Sequence, residues 1–270
     1  MKAVVLARGS GRRMREPDGG SQLTDAQRLA ASSGHKGLMP VGGIAPRPFL
    51  DFLLSSLADA GCDEVCLVIA PDHDALRRHY DTARPARVRL SYAIQEQPLG
   101  TANALLAAEA FVGEAPFLVL NSDNLYPVDV LRALVNLPGP GLPAFERDAL
   151  VTESGFPADR VASFAMLDTD SRGRLQAIVE KPGPARIEAG GPRALVSMNV
   201  WRFDARIFAA CRDVSISARG EYELPEAVAL AMVRGMEFQV VLARGAVLDL
   251  SRRSDVAEVG RRLATVEARP

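Results

Sequence analysis

The chain has 270 residues, 32 Lys+Arg against 33 Asp+Glu, and 48% hydrophobic residues. The balanced charge excludes a non-specific nucleic-acid binder, which needs a basic excess, and leaves room only for a local basic pocket. No stretch approaches the ~20 apolar residues that span a bilayer. The three cysteines include no Cys-x-x-Cys pair, and Cys62 and Cys66 read as core thiols, which fits a reducing cytosol. The start of the chain runs into a strand pattern without an apolar signal region, so a cytoplasmic protein is expected, with neither nucleic acid nor membrane as partner.

In chain order, Ala3–Ala7 reads as a buried strand. It empties into Arg8-Gly9-Ser10-Gly11-Arg12-Arg13-Met14, a turn whose backbone N–H groups can face an anion, with Arg13 supplying a planar charged fork. The turn departs from two familiar glycine motifs. Met14 stands where a dinucleotide fingerprint has its third glycine, and the Gly-Lys-Ser/Thr of a P-loop is absent. Glu16–Gly34 follows as a long irregular polar segment, either a functional loop or a surface insertion. Phe49–Ala60 has helical spacing and stops at Gly61. Glu64–Ala70 is a strand, Asp74–Tyr80 a helix, Arg87–Gln95 a strand, Thr101–Phe111 a helix and Pro116–Asn121 a strand. Alternation of this kind gives an α/β protein with a parallel sheet and right-handed crossovers.

The pattern changes after Pro138–Pro143, which reads as a surface connection. Ala162–Asp168 and Arg174–Glu180 read as strands around the turn Asp170-Ser171-Arg172-Gly173, a hairpin or a meander. Leu195–Phe203 is a strand with Trp201 in the core, Glu221–Arg234 a helix, Glu237–Leu242 a strand and Asp255–Ala268 a helix. These elements extend the first sheet, so one domain over 1–270 is expected. His35, His73 and His79 read as surface or loop residues.

Several chemistry-bearing segments stand where apolar runs end. They include His35-Lys36-Gly37-Leu38-Met39-Pro40, Gln95-Glu96-Gln97-Pro98-Leu99-Gly100-Thr101, Asn121-Ser122-Asp123-Asn124 and Glu180-Lys181-Pro182. In an open parallel sheet, ligands bind beyond the carboxyl ends of strands, so these segments should converge at one edge. Asp123, directly after a buried run, is placed as a Mg²⁺ ligand.

In order and spacing, from Lys2 to about Asp255, the segments resemble the sugar-1-phosphate nucleotidylyltransferase family. The resemblance implies a Rossmann-like mixed, mainly parallel sheet flanked by helices, with a small sugar-side β subregion. A nucleotide-binding half would cover about 1–135 and a sugar-phosphate half about 136–270. It also implies the reaction: a nucleoside triphosphate and a sugar 1-phosphate give an NDP-sugar and pyrophosphate, with Mg²⁺. Leu6, Ala7, Gly9, Ser10 and Gly11 would cradle the triphosphate, and Arg13 and Lys36 would neutralise it. Gln95, Pro98, Gly100 and Thr101 would take the base, with Gln95 favouring dTTP or UTP. Lys181 would meet the sugar phosphate, and Asn124, Glu180, Ser197 and Asn199 the sugar. Asp249 would be the second metal ligand beside Asp123.

The chain departs from the family pattern at Arg8, at Asn199 and around Asp249, where Val247, Ser251, Arg252 and Arg253 replace the usual residues. A GTP- or CTP-dependent relative and a non-catalytic nucleotide-sugar-binding regulatory protein therefore stay open. Members often form homo-oligomers, and nothing in the sequence fixes the count.

Overall fold

The computed structural model describes residues 1–17, 20–42 and 45–270. Its centre is a ten-stranded sheet. The strands are β1 (Lys2–Leu6), β2 (Glu64–Ile69), β3 (Arg89–Ile94), β4 (Phe117–Asn121), β5 (Gly141–Glu146), β6 (Met166–Thr169), β7 (Leu175–Val179), β8 (Leu195–Val196), β9 (Val200–Phe203) and β10 (Gln239–Ala243). Their spatial order is β7-β6-β8-β5-β9-β4-β1-β2-β3, and β10 pairs in parallel with β5. Strands β3, β2, β1 and β4 are mutually parallel, while β9 runs antiparallel to β4. The parallel half follows from the strand–helix alternation, and the mixed half continues the same sheet.

The sequence explains why the parallel half is buried on both faces. Ala3, Val5, Val65, Leu67, Leu118 and Leu120 point into one core, and Val4, Cys66, Val68 and Val119 into the other. Successive strand residues face opposite sides, so an unbroken apolar run fills two cores at once. Each fully buried Val or Leu contributes about 1.5–3 kcal/mol. Trp201 is buried, and its ring stacks on Phe203 at 5.8 Å between centroids, a core residue as expected.

Several elements differ from the sequence reading. Pro138–Pro143 is not a surface connection. Its second half opens β5, whose first five residues are buried. Glycine and proline suppress the strand signal there, and tertiary pairing overrides it. Gly141 is needed, because a Cβ would sit 2.4 Å from Gln239 O. Leu195–Phe203 is not one strand but β8 and β9, broken at Ser197–Asn199. Asn199 adopts φ +56° there, and its N–H donates to Ser197 Oγ at 3.3 Å. The strand expected from Ala162 starts only at Met166 (β6), and a helical turn, Ala158–Val161, precedes it.

The segment Glu16–Gly34 is only partly irregular. Asp25–Ser33 is a helix whose N-terminus closes a capping box: Gln27 N–H donates to Thr24 Oγ1 (3.3 Å) and Thr24 N–H to Gln27 Oε1 (3.1 Å). The Thr-x-x-Gln pattern announces it. Asp18 and Gly19 of that segment lie outside the described residues, as do Gly43 and Ile44. Among the described residues no helix is long and apolar enough to cross a membrane.

Candidate active site

The end of β1 carries the first part of the site. Ala7 N–H still donates to Val68 O (2.8 Å), and the chain then turns through Gly9–Gly11 into a helical turn, Arg12–Arg15. Gly11 has φ +64°, and a Cβ would lie 2.3 Å from Gly34 O, so only glycine fits. Met14 is fully buried and anchors the turn. Two further contacts clamp it: Arg15 Nη2 donates to Ser33 O (2.9 Å), and Arg253 Nε donates to Met14 O (2.9 Å). Arg253 was read only as a departure, and here it ties the turn to the segment after Asp249. Arg13 stays exposed on the turn's free side.

Two clefts open along the carboxyl edge. The first, of about 350 Å³, is lined by Leu6, Ala7, Gly9, Ser10, Lys36, Gln95, Pro98, Gly100 and Thr101, among others. Of the residues expected to hold the nucleotide, Gly11 is buried behind this wall, and Arg13, expected to neutralise the triphosphate, lines the second cleft instead. The second, of about 1230 Å³, is lined by Arg13, Asn124, Glu180, Lys181, Asn199 and Asp249. Ser197 does not reach it; it is buried and shapes the turn that presents Asn199. The two clefts share Leu6, Thr101, Asn121, Asp123 and Glu221, so Asp123 stands at their junction.

The first cleft's polar groups are fixed by bonds within the chain. The Gln95 side-chain amide donates through Nε2 to Gly100 O (3.0 Å) and Asn103 Oδ1 (2.9 Å). A backbone carbonyl only accepts, so the nitrogen is pinned on that side and Oε1 is left as an acceptor. Gly100 has φ +105°, and a Cβ would lie 2.5 Å from Tyr222 O, so backbone packing alone demands glycine there. The Thr101 hydroxyl accepts from Leu224 N–H at 2.8 Å. Arg8 neither crowds the cleft freely nor points to solvent. Its Nε donates to Gln95 O (3.1 Å) and its Nη2 to Glu96 O (3.3 Å), bracing the wall.

The junction is charged. Lys36 Nζ donates to Asp123 Oδ2 at 2.8 Å, with both side chains largely covered. Asp123 and Asp249 are brought together by a short antiparallel ribbon, Asn124–Leu125 with Leu248–Asp249, and Leu250 N–H donates to Asp123 O (2.8 Å). Burial, and then the Asp123 charge, push the Asp249 carboxyl above the usual carboxylate range, against the pull of Arg160. Asp249 Oδ1 lies 2.9 Å from Arg160 Nη2, an ion pair out of hydrogen-bond alignment, and has no hydrogen bond. Two neighbouring carboxylates, held by Arg160 and Lys36, suit Mg²⁺, which takes one or two carboxylates beside phosphate oxygens and water. Among the described residues no cluster of three or more His, Cys, Asp or Glu could hold a metal, so the protein offers a partial oxygen set.

The sequence reading missed several neighbours. Arg160 pairs with Asp249 and with Asp255 (Nη1–Oδ1 2.8 Å), and its guanidinium lies over the Phe156 ring. No motif surrounds it, and only the fold brings it here. Arg219 and Glu221 line the second cleft, and Arg219 Nε donates to Glu223 Oε1 at 2.8 Å. The run Arg219-Gly220-Glu221 just before a helix was available as a signal. The histidine reading is corrected: His35 and His73 line the first cleft, and His73 is buried, 8% exposed. Both sit below the usual imidazole range, chiefly because burial disfavours their charge. Lys181 adopts φ +46°. For a residue with a Cβ this conformation costs about 1–2 kcal/mol, and such strain clusters at ligand-contacting positions.

The chain matches the nucleotidyl transferase family over residues 2–264, and it belongs to that family. It is 28% identical over 263 residues to the UTP–glucose-1-phosphate uridylyltransferase AglF of Haloferax volcanii, covering 97% of this chain and 96% of that protein. It is also 28% identical over 261 residues to a glucose-1-phosphate thymidylyltransferase of Streptomyces antibioticus, covering 97% of this chain but 65% of that one. A solved UDP-glucose pyrophosphorylase complexed with UDP-glucose shares the fold, with TM-score 0.74, 16% identity and 97% of each chain covered.

Proposed function

We propose that the protein transfers a nucleotidyl group from dTTP or UTP to a sugar 1-phosphate, releasing pyrophosphate and forming an NDP-sugar. The observation that carries this reading is the junction at Asp123. A cleft with a backbone-lined turn and a fixed amide acceptor meets, at Asp123 and Glu221, a second cleft edged by Arg13 and Lys181. Two phosphorylated molecules approaching from the two sides would meet there. The named activities of the relatives support the same substrates.

The chemistry needs little from any side chain beyond charge and position. The sugar 1-phosphate oxygen attacks the α-phosphorus in line, and pyrophosphate leaves from the opposite side. The nucleophile arrives as an anion, so no residue has to take a proton. Asp123 and Asp249 are the residues that would hold Mg²⁺, which neutralises phosphate charge when bound. Lys36, released from Asp123, and Arg13 would neutralise the triphosphate. Lys181 would bind the sugar phosphate, and Asn124, Glu180 and Asn199 would orient the sugar. Holding two anions together and screening the α-phosphate supplies the rate enhancement.

The free Gln95 Oε1 supports a pyrimidine imide. It faces the N3–H donor of thymine or uracil, and it repels the N3 lone pair of cytosine. A matrix of dTTP, UTP, CTP, GTP and ATP against common sugar 1-phosphates, read as released pyrophosphate, tests the proposal. Turnover should be highest with dTTP or UTP. Faster turnover with CTP or GTP overturns the base assignment, and tight nucleotide binding without pyrophosphate release overturns the enzyme reading.

A further inference from the structure

We propose that His73 contacts the nucleoside directly, its imidazole hydrogen-bonding a ribose hydroxyl of the bound nucleoside triphosphate. The proposal rests on the reading of the first cleft given above. That reading gives the base and the phosphates partners but leaves the sugar between them without one.

Strand order places His73 over that gap. The phosphate turn follows β1, Gln95 follows β3, and β2 lies between them in the sheet. His73 follows β2 on a tight turn, where its N–H donates to Ala70 O (3.2 Å), and it heads the helix Asp74–Ala83. A nucleotide with its base at Gln95 and its phosphates at Gly9–Gly11 crosses the end of β2 with its ribose.

The His73 ring borders the cleft with Nδ1 closed off on the protein side, so Nε2 is the nitrogen that a ligand in the cleft can reach. His73 is 8% exposed and lines the cleft, yet its Nδ1 is buried without a hydrogen-bond partner. The His35 ring packs edge-on against it, centroids 4.8 Å apart, and fixes its plane. Burial, with the Arg8 and Arg15 cations nearby, favours the neutral ring over the charged one, opposed by Asp72. A neutral imidazole has one donor and one acceptor. That matches a hydroxyl, which also gives and takes a hydrogen bond, better than it matches a phosphate.

Calorimetric titration of the full chain with UTP, 2′-deoxy-UTP and 3′-deoxy-UTP tests the assignment. The wild-type protein should bind one deoxy analogue roughly tenfold more weakly than UTP, the size of one well-made hydrogen bond. His73→Phe should weaken UTP by the same factor and leave that analogue unchanged, and His73→Asn should restore part of the difference. Equal binding of all three nucleotides by the wild type overturns the proposal, whether or not a variant folds. A folded His73→Phe that binds UTP like the wild type, or that weakens all three alike, overturns it too. Absence of any nucleoside triphosphate binding by the wild type sinks the functional reading itself, whereas hydroxyl-blind binding sinks only the histidine.

Discussion

The two clefts are built differently. The first cleft, proposed for the nucleotide, rises from the ends of parallel strands β1, β2 and β3, and its walls are held by main-chain geometry: Gly11 against Gly34, Gly100 against Tyr222, Gln95 against the Gly100 carbonyl. The second, proposed for the sugar, lies where antiparallel strands break, and it is held by ion pairs: Arg160 with Asp249 and Asp255, Arg219 with Glu223. Main-chain packing tolerates few residues at a position, whereas an ion pair can be rebuilt with other charges. The departures at Asn199, Ser251, Arg252 and Arg253 fall on the second cleft or on the segment joining it to the first, whereas Arg8 lies on the first, where it braces the wall through the Gln95 and Glu96 carbonyls.

The largest expected effect lies at the junction, where the difference between clefts should vanish. Asp123→Ala at the junction, and Arg13→Ala beside it on the second cleft, should each lower turnover by about 10²–10³ with melting temperature little changed. Wild-type turnover in both would break the assignment. On either side of the junction the effects should separate: Asn199→Ala should raise the KM for sugar 1-phosphate while leaving the nucleotide KM near wild type. A change in the nucleotide KM alone would show that the two clefts are not distinct subsites.

Two glycines sharpen the contrast between packing and ligand contact. Gly100→Ala should cost about 1–3 kcal/mol of stability, because a positive φ and a backbone clash must both be relieved, and thermal unfolding reads it directly. Gly9 has nothing within 4 Å of a hypothetical Cβ and no positive φ. Gly9→Ala should therefore leave the melting temperature unchanged and raise the nucleotide KM several-fold. A drop in stability with unchanged KM would mean that glycine serves the fold there and not an approaching phosphate.

The parallel half was legible because its apolar runs are continuous and its helices end at glycines such as Gly61. The motifs along it, at Gly9, Ser10, Lys36, Gln95, Gly100 and Asp123, line the first cleft. Strand β5 was not legible, since Gly141 and Pro143 carry turn signals and only pairing within the sheet, with β10 on one side and β9 and β8 on the other, makes them a strand. Arg160 was invisible for the same reason: its partners are 89 and 95 residues away in sequence, at Asp249 and Asp255. His73 was misread because a polar residue after a strand is ordinarily solvated, and nothing local announces that His35, Leu76 and the cleft wall enclose it.

The smallest expected effect is a pH dependence confined to the nucleotide side, because among the described residues the histidines lining a cleft, His35 and His73, both line the first. In the folded protein both lie below the ordinary imidazole value of 6.5, burial being the main cause. Above that value, folded and unfolded chains bind the same number of protons at these sites, and the full stability is present. As pH falls below 6.5, the unfolded chain takes up protons that the folded one refuses, so stability declines until the folded-state pKa is passed. Each such group contributes a slope of at most about 1.4 kcal/mol per pH unit. His73→Phe should flatten the decline between pH 6.5 and 5, measured by denaturant unfolding, and saturating UTP should flatten it in neither protein unless the nucleotide also binds the charged ring. An unchanged slope in His73→Phe would mean that the imidazole already titrates freely, and the enclosed wall inferred for the first cleft would then be open to water.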